Sequence, residues 1–130
     1  MKKRVYVSHP YGGKEENMRD IEKVIMHLNK DERIYNTFSF LSPVHAFGFM
    51  YQMYEGENYY KGLQLCIDLF DVCDMMLMIG DWETSKGCVG EKAYCDEHNI
   101  PYIMVRTSDE ILNTPYNRLY ETLMSEVEHG

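Results

Sequence analysis

Two segments carry the residue types that can do chemistry. One is Gly80-Asp81-Trp82-Glu83-Thr84-Ser85-Lys86-Gly87-Cys88-Val89-Gly90-Glu91. Ser85 is a natural N-cap, and Gly87 lets a ligand come close to the first helical turn. Glu91 follows about two turns in. Helical side chains lean toward the N-terminus, so its carboxylate can reach back over the end of the preceding strand. Flanked by Gly87 and Gly90, it reads equally as a reactive group with cleared space or as a solvated glutamate paired with Lys86 or Lys92. The other segment is Tyr6-Val7-Ser8-His9-Pro10-Tyr11-Gly12-Gly13. A strand that runs into a glycine-containing turn and then a helix can offer backbone N–H groups to a phosphate or sugar. Its spacing matches neither GxGxxG nor a Walker loop, and an ordinary βα turn explains it as well.

These segments need elements to position them. Residues 4–8 read as a strand broken by Pro10, Gly12 and Gly13. Residues 15–29 read as a helix with Met18, Ile21, Ile25 and Leu28 on one face. A weaker strand spans 36–41, and the aromatic, Met-rich stretch 44–54 reads as a loop or short helix at a site mouth. A second long helix covers 57–72, with Tyr60, Leu63, Ile67 and Phe70 facing inward. Residues 75–79 are apolar on both faces, as central parallel strands are. A helix over 85–98, a buried strand over 101–105 and a helix capped at 107–109 complete the chain, with Pro115 near the start of that last helix or breaking it. Strands alternating with helices predict an α/β fold with a mostly parallel sheet of four to five strands covered on both faces. Ligands in such sheets bind beyond the carboxyl ends of the strands, where residues 8–13, 42–48 and 80–87 converge.

Composition narrows the function classes. The chain has 130 residues, 45% of them hydrophobic, which suits one domain with its own core. Thirteen basic residues against 21 acidic ones leave a net charge of −8, which disfavours a nucleic-acid polymer as partner. Cys66, Cys73, Cys88 and Cys95 form neither CxxC nor a zinc pattern; the seven-residue gaps place each pair near one helix face, as small buried residues. No apolar run approaches a membrane span and no signal-peptide core is present, so a cytoplasmic protein with reduced thiols is expected.

Tyr6-x-Ser8-x-Pro10, Cys73-Asp74 before an apolar strand, and Ser85-x-Gly87-x-x-x-Glu91 resemble the nucleoside 2-deoxyribosyltransferase superfamily. With Gly80 and Trp82 added, the pattern is closer still to an allied family of small bacterial and phage domains of unassigned function. The resemblance spans most of residues 4–105. It implies a flavodoxin-like, Rossmann-like three-layer sandwich and cleavage of an N-glycosidic bond. It makes Glu91 the nucleophile and Tyr6 the phenol that hydrogen-bonds it. Ser85 stands where the related monophosphate glycosidases bind phosphate, which favours a nucleotide, and Gly12, Gly13 and Lys14 can add contacts. Two positions depart from the pattern. Cys66 replaces an aspartate, and His9 stands where glycine is common.

The resulting expectation is a nucleoside or nucleoside 5′-monophosphate transferase or glycosidase. Glu91 and Tyr6 would be catalytic, and Ser8, His9, Pro10, Tyr11, Gly12, Gly13, Ser85 and Gly87 would bind substrate. Asp81 and His45 are the candidates for protonating the leaving base, and Trp82 for stacking on it. No metal or organic cofactor is expected, and the small molecule is the expected partner. A rival reading is a nucleotide-binding module without turnover. A third is an interaction scaffold, because Tyr51, Tyr54, Tyr59 and Tyr60 suit a subunit interface within residues 50–60 of a homo-oligomer.

Overall fold

A computed structural model describes residues 1–129. Four strands, β1 (Lys3–Ser8), β2 (Phe38–Leu41), β3 (Met75–Ile79) and β4 (Tyr102–Val105), form one sheet in the order β2-β1-β3-β4. All pairings are parallel, with Val5 opposite Met75 and Ser8 opposite Met78. The helices are α1 (Glu15–Asn29), α2 (Glu32–Thr37), α3 (Pro43–Phe47), α4 (Tyr59–Phe70), α5 (Lys86–His98), α6 (Ser108–Leu112) and α7 (Tyr116–His129). Short 3₁₀ turns occupy Gly48–Tyr54, Gly56–Asn58 and Trp82–Thr84. This is the expected α/β architecture, consistent with a flavodoxin-like three-layer sandwich.

Strand alternation divides the core between the two faces of the sheet. Val5, Val7, Met75, Leu77 and Ile79 pack on one side with Ile21, Val24 and Leu28 of α1 and Leu123 of α7. Tyr6, Met76 and Met78 point the other way, onto Phe70 of α4 and Cys88 and Cys95 of α5. The helix that carries Glu91 therefore lies over the face to which Tyr6 points. Gly90 sets how closely it sits: a Cβ there would stand 3.2 Å from Leu63 Cδ1 and 3.4 Å from the Tyr59 hydroxyl.

Several expectations are corrected. Residues 36–37 end α2, a six-residue helix capped by Asp31, whose carboxylate accepts from the Ile34 N–H at 3.0 Å. The second long helix is shorter than 57–72, and Tyr60 is exposed rather than inward-facing. Strand β4 is a half-exposed edge, not a buried strand, with Met104 open to solvent. Pro115 separates α6 from α7, since proline cannot donate to the helical ladder and disfavours helix before it. All four cysteines are free; Cys88 and Cys95 are buried, Cys66 and Cys73 half-buried, and Cys73 lies beyond the end of α4. Among the described residues, no helix is long and apolar enough to cross a membrane.

Candidate functional site

At the carboxyl end of β1 lies a cavity of about 620 Å³. Its walls are the loop after β1, α3 with the 3₁₀ turns that follow, α4, and the first turns of α5. Ser85 caps α5, its hydroxyl accepting from the Cys88 N–H at 3.3 Å. Gly87 leaves the adjoining wall open, because a Cβ there would meet only the Ser85 Oγ, at 3.8 Å.

Glu91 sits at the floor of this cavity, 5% exposed. Both of its carboxylate oxygens are held. The Tyr6 phenol donates to Oε2 and the Ser8 hydroxyl to Oε1, the latter at 2.8 Å. Burial pushes the Glu91 carboxyl up to about 7, and the two donors pull against that rise. The solvated-glutamate alternative is excluded by this burial and by the two bonds to Tyr6 and Ser8; Lys92 is engaged by Asp96 instead, at 2.8 Å. Tyr6 is fully buried, with its ring stacked on Phe70 at 4.4 Å. Burial, then the adjacent Glu91 charge, raises its phenol well above the usual range and keeps it a donor. Burial and the Glu91 charge likewise raise the Cys66 and Cys88 thiols to about 11.

His9, Pro10, Tyr11, Gly12, Ser85 and Gly87 line the cavity with Glu91, while Tyr6 and Ser8 lie behind the glutamate. His9 is tied at both ring nitrogens, Nε2 to Asp20 at 2.8 Å and Nδ1 to the Pro10 carbonyl at 2.6 Å. Asp20 also accepts from Ser108 of α6 at 2.7 Å, so this pair pins the loop. Gly13 lies outside the cavity lining, against the Tyr51 ring. A φ of +72° there, after +60° at Gly12, is the left-handed geometry that favours glycine.

Besides Gly13, three predicted residues, His45, Asp81 and Trp82, neither line the cavity nor touch Glu91. His45 is held at the start of α3, by Ser42 at 2.8 Å and Glu22 at 2.8 Å. Asp81 is exposed and 3.5 Å from Arg106, which mainly engages Glu83 at 2.9 Å. Trp82 packs against the Tyr6–Phe70 side of the core, with the Lys92 ammonium 5.2 Å from its ring. The left-handed turn at Gly80, φ +95°, starts this loop; a Cβ there would stand 3.2 Å from Pro10.

The cavity also holds residues that were not expected there as ligand contacts. Tyr51, Tyr54 and Tyr59 line it, and Tyr51 is also exposed, as are Phe49, Met53 and Tyr60. The Tyr11 and Tyr51 rings meet edge to face at 5.3 Å. Lys86 joins Lys14, which was expected as an added contact, in supplying cations, and Tyr59 donates to the Lys86 carbonyl at 2.7 Å. The one signal for these residues was the aromatic density of 44–60, which an interface explains equally well. Among the described residues, no cluster of three or more histidines, cysteines or carboxylates could hold a metal ion.

The arrangement presents one deeply held carboxylate to a cavity with aromatic walls, two lysines and a capped helix N-terminus. No curated protein and no solved structure matches the chain. A family model matches residues 3–104, which covers all four strands but for the last residue of β4. The chain belongs to the family described as a domain of unknown function, DUF4406.

Proposed function

We propose that this domain cleaves or transfers the N-glycosidic bond of a nucleoside or nucleoside 5′-monophosphate, with Glu91 as nucleophile. The observation that carries the reading is the Glu91 carboxylate at the cavity floor, fixed through both oxygens by Tyr6 and Ser8. The resemblance of Ser85-x-Gly87-x-x-x-Glu91 to the deoxyribosyltransferase pattern points the same way. A Glu91 oxygen attacks the anomeric carbon as the carbon–nitrogen bond breaks. The bonding pair leaves on the base nitrogen, which takes up a proton from solvent. Water or a second base then attacks the same carbon and releases the glutamate, so configuration is retained. Tyr11, Tyr51 and Tyr54 suit a planar base. Ser85, Lys86 and the α5 N-terminus suit the 5′-phosphate.

A second reading is nucleotide binding without turnover. It is favoured by one observation: Asp81 and His45, the side chains expected to protonate the leaving base, do not line the cavity. Incubation with 2′-deoxy-2′-fluoroarabinosyl nucleosides and their 5′-monophosphates separates the two. The fluorine slows release of a glycosyl-enzyme more than it prevents its formation. Peptide mass spectrometry is expected to find the sugar on Glu91. A thermal shift with these compounds and no adduct, together with intact natural nucleotides, would establish the binding module.

A further inference from the structure

Behind Glu91, two hydrogen-bonding groups remain that the proposed reaction does not use, Cys66 beside the Tyr6 phenol and Cys88 beside Ser8. The Cys88 thiol is 2% exposed and lies 3.4 Å from the Ser8 hydroxyl, whose oxygen is 2.8 Å from Glu91. Ser8 is fully buried and has one proton to give. The carboxylate takes it, because a charged acceptor at the shorter distance forms the stronger bond. The thiol proton is then free to point at the Ser8 oxygen. Burial and the Glu91 charge keep Cys88 protonated at neutral pH, so that proton is present.

We infer that Cys88 is a positioning residue acting through Ser8, in a buried chain that runs thiol to hydroxyl to carboxylate. The inference deepens the proposed function and rests on it only for the use to which the carboxylate is put. A donor behind Ser8 polarises its O–H bond and strengthens the bond to ionised Glu91. When Glu91 is protonated, the chain can reverse: Glu91 donates to Ser8 and Ser8 to the Cys88 sulfur. The sulfur accepts weakly, so the chain favours the ionised state, the form a nucleophile needs. The other groups around the carboxylate are Tyr6 of β1, Tyr59 and Cys66 of α4, and Cys95 of α5. Lys14, Lys86, Glu55 and His9 line the same cavity.

The test reads the carboxylate itself and needs no turnover. In protein labelled with carbon-13 at the glutamate side-chain carboxyls, the Glu91 resonance is assigned by its loss in Glu91→Gln. It is then followed from pH 5 to 9 in native protein, Cys88→Ala, Cys88→Val and Cys88→Ser. Valine fills the thiol's volume without a donor and serves if the alanine variant unfolds. Loss of the thiol is expected to raise the Glu91 midpoint by about half a pH unit, roughly threefold in proton affinity. Serine, which keeps a donor, is expected to restore or lower it. An unmoved midpoint in Cys88→Val, or equal shifts in valine and serine, would overturn the inference. Shifted midpoints in a protein that never releases base would leave this chain standing and remove the glycosidic reading. A Glu91-dependent activity with unmoved midpoints would do the reverse.

Discussion

Burial and hydrogen bonding pull the Glu91 carboxyl in opposite directions. Burial is the larger effect and leaves it near 7, while Tyr6 and Ser8 hold it down from a higher value still. A nucleophile must be ionised, so base release is expected to climb with pH through about 7 and then level off. Tyr6→Phe removes one donor to the charged form and so raises the midpoint, by about one unit. Its activity is expected to fall roughly tenfold at pH 6 and much less at pH 9. A rate profile with the native midpoint in Tyr6→Phe would show that the phenol does not tune the carboxylate. The central pair was legible only through the family resemblance: helix lean lets a glutamate two turns past a capped start reach the strand ends, but spacing alone left Glu91 equally a solvated residue and Tyr6 a core aromatic. Ser8 shares the face of Tyr6 by strand alternation, but its role as second donor was not legible, because it depends on how α5 seats Glu91 over the end of β1.

Helices α4 and α5 set the width of the site, and their glycines separate packing from ligand access. A Cβ at Gly62 would lie 2.9 Å from the Tyr54 Cβ, next to the backbone of the turn that walls the cavity. Gly62→Ala must displace that turn and is expected to lower unfolding stability by about 1–2 kcal/mol in urea. Gly87→Ala meets open space, so it is expected to match or slightly exceed native stability, by up to about 1 kcal/mol. Its effect should fall on ligand binding alone. Equal destabilisation by the two would contradict this division. Helix α1 was legible from its apolar period, β3 from an unbroken apolar run and α5 from the Ser85 cap, as was the alternation of strands and helices that makes the sheet parallel. Six-residue α2 was not, because one turn and a half of helix leaves no periodicity to read. Tyr60 was misplaced for a different reason: it begins α4, where the chain has only just left the 3₁₀ turn, so helical phase did not yet govern which way it faced.

Across the whole molecule, the buried glutamate must weaken the fold as it ionises. Its folded value is about 7 against 4.5 for an ordinary glutamate, so the native state binds the proton more tightly than the unfolded chain. Stability is then fully present below pH 4.5, falls as pH rises toward 7, and levels off above, a loss on the order of 3 kcal/mol. Half-exposed Glu22 and exposed Glu83 and Asp96 are held below their usual values, so their contribution is lost only as pH falls below the ordinary carboxylate range. Glu91→Gln is expected to unfold at higher temperature than native protein at pH 8 and to match it near pH 4.5, by calorimetry. A native-like fall between pH 5 and 7 in that variant would place the titrating group elsewhere. The misplacement of His45, Asp81 and Trp82 also belongs to this scale. Each sits on a segment following a strand end that sheet topology sends toward the site, yet contacts with Glu22, Arg106 and Lys92 hold it outside the cavity lining. No local pattern records such partners. The central claim is tested most directly by base release from ribo- and deoxyribonucleosides and their 5′-monophosphates at pH 8, in native protein and Glu91→Gln, read by chromatography. Release by the native protein that vanishes in a folded Glu91→Gln is the predicted result. Release undiminished in that variant would contradict it.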